Sequence, residues 1–332
     1  MNILTPFSSV EQMKAFINLG VKELFCGYIP ASWINAFNID KQLPFLSVPL
    51  NKRANIKANI TSEQELRTAI NIAKQNNVKL FLTINALYFP DPMWNYLKQY
   101  LNDIQLLGIE NCIVTDYALM DYITKNTNLD ITASCLCNVT NTAQVNFLKQ
   151  FRITRVVFPR HISKETLVQI CQQHPDIEFE YFILSDKCIY NDGNCHCNHN
   201  IGAFCNEMWN TEYYPLSVRE LDESQEIELQ NNEYLFKRWS TNRCAVDKNK
   251  FRWRSIGCSL CSLATTISIP NISSLKIVGR GFGTEGLKQM IEIVNKAIQI
   301  AQNGDTALLC DFARNEFNNE DMCSDYHYCI VR

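Results

Sequence analysis

The sequence predicts an α/β fold, a TIM-like β/α barrel with a cysteine-rich cap inserted between strands seven and eight. Three observations carry this. Eight short segments rich in β-branched or aromatic residues can be counted along the chain. Helical periodicity lies between them. A stretch of different composition, holding seven of the 15 cysteines, separates the seventh segment from the eighth. An open doubly wound sheet is the competing arrangement, but eight strands and no early Gly-rich phosphate loop favour closure.

The first seven strands are expected at Asn2–Thr5, Lys22–Cys26, Lys79–Asn85, Asn111–Thr115, Asp130–Ser134, Arg155–Pro159 and Glu178–Leu184. Between the second and third, Ser62 and Glu65 form a capping-box pattern opening a helix over Thr61–Gln75. Leu66, Ala69, Ile70 and Ala73 fall on one face of that helix. Further helices are expected over Thr142–Gln150 and from Ser163 to His174. The eighth strand, Ser274–Val278, is followed by Gly281–Gly283 and a long helix from Thr284 to Gln302. This divides the chain into a barrel of residues 1–185 and 271–332 and an insertion of residues 186–270. No internal repeat or low-complexity tract is evident.

With 332 residues, 46% of them apolar and 20% charged, the chain is an ordinary globular one, neither disordered nor collagen-like. Its formal net charge of −3 excludes a bulk nucleic-acid coat, so any grip on RNA must be a local patch. No apolar run approaches the roughly 18 residues of a membrane helix. The start, Met1-Asn2-Ile3-Leu4-Thr5-Pro6, has no basic segment ahead of an apolar one, which predicts a cytoplasmic protein. In a reducing cytoplasm, 15 cysteines argue for metal or redox chemistry over disulfides. Cys26, Cys112 and Cys171 lie inside apolar patterns and are expected as small core residues.

The insertion has little helical or strand period. Its cysteines stand at 188, 195, 197 and 205, then at 244, 258 and 261, with His196 and His199 among them. The Cys258-x2-Cys261 pair lets two thiolates reach one centre from a single turn, and four thiolates complete either zinc or an iron–sulfur cluster. The spacing alone does not separate the two. Glu220–Glu233 is acidic, whereas Phe236–Arg254 mixes lysines and arginines with Phe236, Trp239, Phe251 and Trp253. That second composition suits an RNA contact, or else a solvated cap over the metal site.

Seven motifs, in order from Asn51 to Arg280, then give the chain a family resemblance. They are Asn51-Lys52-Arg53 with Ala58-Asn59; the strand Lys79–Asn85; Ile131–Ser134 with Asn138–Ala143; Arg155–Arg160; Glu180-Tyr181-Phe182 eight residues before Cys188; the Cys188-x6-Cys195 spacing; and Ser274–Arg280. The sequence thereby resembles the collagenase-like peptidase family U32. The resemblance implies a β/α barrel with a four-cysteine 4Fe–4S cluster. Cys188, Cys195 and Cys205 fall on the first three ligand positions, and Cys261 is the choice for the fourth, with Cys258, Cys244 and Cys197 as alternates. Members are described as peptidases, or are needed for oxygen-independent hydroxylation of ubiquinone precursors or of an RNA base. Leu184-Ser185, His161, Val278 and Leu136 depart from the family pattern, and all cluster near the expected substrate face.

Arg160 and Arg280 follow the sixth and eighth strands, so both are expected to point into the barrel mouth, where each could hold a carboxylate or phosphate. Glu180 is the candidate acid/base or substrate-orienting group. Cys135 and Cys137 flank one residue of a strand end and are expected to face the same side. No Gly-x-Ser-x-Gly or His-Glu-x-x-His motif supports a protease. The sequence thus points first to an iron–sulfur-dependent modification enzyme with a small-molecule or RNA substrate. The alternatives are a peptidase, or a non-catalytic iron–sulfur partner or sensor within a hetero-oligomer.

Overall fold

The computed structural model describes residues 1–37, 50–53, 55–186, 192–195, 222–244 and 256–317. Its strands are β1 (Asn2–Pro6), β2 (Glu23–Cys26), β3 (Lys79–Ile84), β4 (Asn111–Val114), β5 (Asp130–Ala133), β6 (Ile153–Val157), β7 (Glu178–Asp186), β8 (Ile256–Cys258) and β9 (Ile272–Ile277). Strands β1 to β7 pair in parallel in chain order, β7 continues to β9, and β9 returns to β1 through Asn2↔Ser274, Ile3↔Leu275 and Leu4↔Lys276. The result is the closed eight-stranded parallel barrel that the sequence predicts. A ninth strand, β8, runs antiparallel to the end of β7, with Leu184 opposite Cys258.

The helices are α1 (Val10–Asn18), α2 (Ala31–Phe37), α3 (Glu63–Gln75), α4 (Trp94–Leu107), α5 (Tyr117–Asn126), α6 (Thr142–Lys149), α7 (Lys164–Gln173), α8 (Glu223–Cys244), α9 (Leu263–Thr266), α10 (Thr284–Gln302) and α11 (Thr306–Phe317). In α3 the Ser62 hydroxyl accepts from the Glu65 N–H, and Leu66, Ala69, Ile70 and Ala73 are buried, as the pattern requires. The other half of the capping box is not made. The Glu65 carboxylate accepts from the Val10 N–H instead, tying α3 to the start of α1.

Three local structures differ from the sequence expectation. Helix α8 has 22 residues and a sequence with polar residues all round the helical wheel, so no apolar stripe betrays it. Strand β8 has only three residues, too few for any period. Cys135–Cys137 form a 3-10 turn capped by Ser134, not a strand end. With three residues per turn, alternate positions do not share a face. Cys135 lines a cavity, while the Cys137 thiol donates toward the Val114 and Thr115 carbonyls in the core.

Inside the barrel, one side is apolar, with Leu4, Phe25, Phe81 and Ile113 packed together from β1 to β4. The other side is ionic. Arg155 of β6 is 2% exposed and pairs with Glu23 at 2.7 Å, with Glu180 at 3.3 Å, and with Glu178. Lys276 of β9 pairs with Glu180 at 2.7 Å. The two halves meet through cation–π contacts, Arg155 over Phe81 and Lys276 over Phe25. Cys26, Cys112 and Cys171 are buried in the surrounding core.

Candidate functional site

The C-terminal ends of the barrel strands enclose a cavity of ≈ 130 Å³. Its apolar wall comes from Phe25, Ile113, Val157 and Phe182, all strand residues that point inward. Its polar wall comes from the segments that follow the strands. Asn85 follows β3, Ser134 and Cys135 follow β5, Arg160 follows β6, and Gly279 and Arg280 follow β9. Lys52 and Arg53 enter from the connection between β2 and α3, and Asp192 and Cys195 from the chain beyond β7. The motif residues that are scattered from Asn51 to Arg280 in the sequence therefore converge on one mouth.

Five cationic side chains line this cavity (Lys52, Arg53, Arg160, Lys276 and Arg280) against one carboxylate, Asp192, among the described residues. The two arginines that the sequence singles out differ sharply here. Arg160 is engaged by acid: its backbone N–H donates to Asp192 Oδ2 at 2.8 Å, and its guanidinium pairs with Asp192 Oδ1. Its guanidinium also lies 4.4 Å above the Phe182 ring. Arg280 is 7% exposed and has only neutral oxygens around it among the described residues. Its Nη1 donates to Thr83 Oγ1 at 2.8 Å, to Asn51 Oδ1 at 3.0 Å and to Asn59 Oδ1 at 3.5 Å. Burial, and after it the charge of Arg53, pushes its pKa down from the usual arginine range; the Cys26 thiol opposes this weakly.

The support for Arg280 is itself ordered. Thr83 donates its hydroxyl to the Cys26 carbonyl at 3.0 Å, leaving its lone pairs to accept. Asn51 Nδ2 donates to Asn59 Oδ1 at 2.9 Å, and Asn59 Nδ2 donates to the Arg53 and Asn55 carbonyls, so both amide oxygens are turned toward the guanidinium. Gly27 makes the approach possible: a Cβ there would stand 1.8 Å from Asn59 Oδ1 and 2.8 Å from Arg280 Nη1.

Glu180 is placed elsewhere. It is fully buried one layer below the mouth, between Arg155 and Lys276, and is not among the residues lining the cavity. Its contact with the mouth runs through Lys276, which lines the cavity floor. Lys276 and Asp192 are among the site residues to which the sequence assigns no role. The signal for Lys276 was a lone charge within an otherwise uncharged strand; Asp192, in a polar insertion, carried none.

An iron–sulfur cluster or a zinc ion asks for several thiolates in one place. Cys195 lines the cavity, and Lys52 Nζ donates to its carbonyl at 3.4 Å. Asp192–Asn194 forms a 3-10 turn just before it, held to the barrel by Arg160 and by Gly193, which sits against Asn138. Cys258 faces the end of β7, and Cys261 follows in the turn Leu260–Ser262. Cys244 closes α8. Cys188, Cys197 and Cys205 lie outside the described residues, as do residues 245–255, which include the end of the basic–aromatic run. Among the described residues no three potential ligands come together. Burial pushes the Cys26, Cys135, Cys137 and Cys171 thiols up to about 12 and Cys112 higher still, which disfavours these five as thiolate ligands. No helix among the described residues is long and apolar enough to cross a membrane.

A closed β/α barrel with a cation-lined mouth, at whose edge Asp192 and Cys195 stand, defines the class. The sequence profile of peptidase family U32 matches residues 8–326, and the chain belongs to that family. It is 30% identical over 144 residues to tRNA hydroxylation protein P of Haemophilus influenzae, covering 42% of this chain and 30% of that one. It is 26% identical over 199 residues to an uncharacterized protease of Methanocaldococcus jannaschii, covering 59% of this chain and 43% of that one. The chain thus spans less than half the length of either relative. A solved U32 peptidase aligns with a TM-score of 0.43 and 10% identity over 55% of this chain and 69% of that one.

Proposed function

We propose that the chain is an iron–sulfur-dependent RNA-modifying protein that takes part in hydroxylating a tRNA base, with the barrel mouth as substrate site. The observation that carries this reading is the cation-rich cavity at the C-terminal end of the strands, where barrel enzymes place their chemistry and where an anionic substrate is drawn in. The tRNA hydroxylation protein that it resembles supports the reaction class. Cys188, Cys195, Cys205 and Cys261 are proposed to hold a 4Fe–4S cluster, with Cys258, Cys244 and Cys197 as alternates for the fourth position. A bound cluster would pass on electrons that leave the substrate as it is hydroxylated, or bind a substrate oxygen at an open iron site. The chain's own residues bind and orient: Arg280 and Lys276 face the cavity as donors, Phe25 and Phe182 form part of its apolar wall, and the Arg160–Asp192 pair holds the segment bearing Cys195 against the mouth.

A peptidase needs an activated nucleophile or a metal-bound water. The described residues of the cavity include no histidine, and burial pushes the Cys135 thiol there up to about 12. This favours modification over hydrolysis. The test is a Haemophilus influenzae strain lacking its tRNA hydroxylation protein P, supplied with this chain. Recovery of a tRNA nucleoside heavier by one oxygen is the expected result; tRNA unchanged by the chain, with the protein expressed, overturns the reading. Iron and sulfide counts on anaerobically purified protein test the cluster separately: about four of each are expected. A zinc-bound or metal-free chain removes it.

A further inference from the structure

We propose that Arg280 is the seat of a phosphate group, so that the barrel mouth takes a phosphorylated ligand and fixes it by that phosphate. This rests on the reading of the mouth as the substrate site and adds which group of the substrate is held, and by what. Three observations lead to it. First, a guanidinium this deeply buried normally has a carboxylate beside it, because an isolated charge is expensive to desolvate. Arg280 has none among the described residues, only Thr83, Asn51 and Asn59 on a single nitrogen. Its Nε and Nη2 donate to nothing among the described residues, and the side chain lines the cavity.

Second, the cradle is built in advance. Gly27 leaves space that any Cβ would fill, and the hydroxyl of Thr83 and the amides of Asn51 and Asn59 are each turned by a further hydrogen bond to accept from Arg280. A side chain fixed on one nitrogen presents the remaining edge of its fork in one direction, the geometry that a tetrahedral oxyanion uses bidentately. Third, Arg53 stands close enough for its charge to act on Arg280, and both line the same cavity. Two cations that repel one another favour a group of more than one negative charge, a phosphate over a single carboxylate.

The test measures binding of inorganic phosphate and, in a second arm, of acetate to the anaerobically purified protein, by calorimetry at fixed ionic strength. Phosphate is expected to bind at one equivalent, at least tenfold more tightly than acetate. Arg280→Gln should weaken phosphate at least tenfold and Arg280→Lys by several-fold. Lys98→Gln, which removes a cation from α4 away from the mouth, should leave it unchanged. Should the Arg280 variants fail to fold, phenylglyoxal labelling of the unaltered protein answers the question. Phosphate should protect Arg280 from modification, read by peptide mass spectrometry. Acetate binding as tightly as phosphate, phosphate binding that survives Arg280→Gln, or no protection of Arg280 each overturns the proposal. Any of these can occur while the chain still restores the modified tRNA nucleoside, so the phosphate seat and the RNA-modification reading fail separately.

Discussion

Two arginines sit inside the same ring of strands and are solvated in opposite ways. Arg155, low in the barrel, is surrounded by Glu23, Glu178 and Glu180. Burial alone would lower its pKa, but the Glu23 hydrogen bonds and the charges of Glu180, Glu23 and Glu178 outweigh it, and the net shift is upward. Arg280, at the mouth, is also buried but has no acid beside it among the described residues, and its shift is downward. The lower arginine completes a charge-balanced layer that belongs to the fold. The upper one keeps donors unspent, as a binding site must. The contrast separates structure from function within one interior.

The comparison breaks most visibly at Arg155. Arg155→Met leaves Glu23 buried without its cation and Glu180 with Lys276 alone, and removing one partner of a buried ion network costs about 3–5 kcal/mol. Urea unfolding is the measurement; a loss below about 1 kcal/mol would mean that the acids find other partners and that the layer is not structural. The same network sets the acid limb. Burial raises the Glu23 pKa, but its bonds to Arg155, Ser274 and Asn2 lower it further, and the net value lies below its ordinary 4.5. A depressed carboxylate contributes stability that is complete above pH 4.5 and lost as pH falls through the folded value. Unfolding free energy measured from pH 7 downward should therefore fall below pH 4.5, and this limb should flatten in Arg155→Met but persist in Arg280→Met. A limb that persists in both assigns it to other groups.

At the mouth, Gly27→Ala is the next largest effect. The added Cβ would stand 1.8 Å from Asn59 Oδ1, and something must shift. Overpacking of this kind costs about 1–3 kcal/mol, and it should displace Arg280 and weaken phosphate together with stability. Thermal unfolding and phosphate titration on the same sample check both. Unchanged phosphate binding would show that the cradle tolerates the displacement.

How much of this was legible in the sequence follows from the same division. The barrel strands announce themselves because both faces are buried, giving short β-branched runs that no helix period explains. Arg160 and Arg280 could be placed at the mouth from their position after strands. Their difference could not, since it depends on Asp192, which lies in a polar insertion 32 residues beyond Arg160 and meets it only because β6 and β7 lie side by side. Glu180 shows the converse error. It was a candidate acid/base, but it is the third residue of β7, which runs on to Asp186, so it falls in the layer below the mouth. Helix α8 was silent because a helix with no apolar stripe has no period to read.

The smallest expected effect is the most informative. Arg280→Met removes a buried cation that no acid among the described residues balances, so desolvation of the charge is relieved. What it takes away are hydrogen bonds to three oxygens, and each retains another role. Thr83 still donates to the Cys26 carbonyl, Asn51 Oδ1 still accepts from the Arg53 N–H, and Asn59 Oδ1 still accepts from Asn51 Nδ2. No buried acceptor of the three is orphaned, so the change in stability should stay within about 1 kcal/mol in either direction. Urea unfolding of Arg280→Met beside Arg155→Met decides it. A loss above about 2 kcal/mol at Arg280 would make the upper arginine a structural pillar like the lower one.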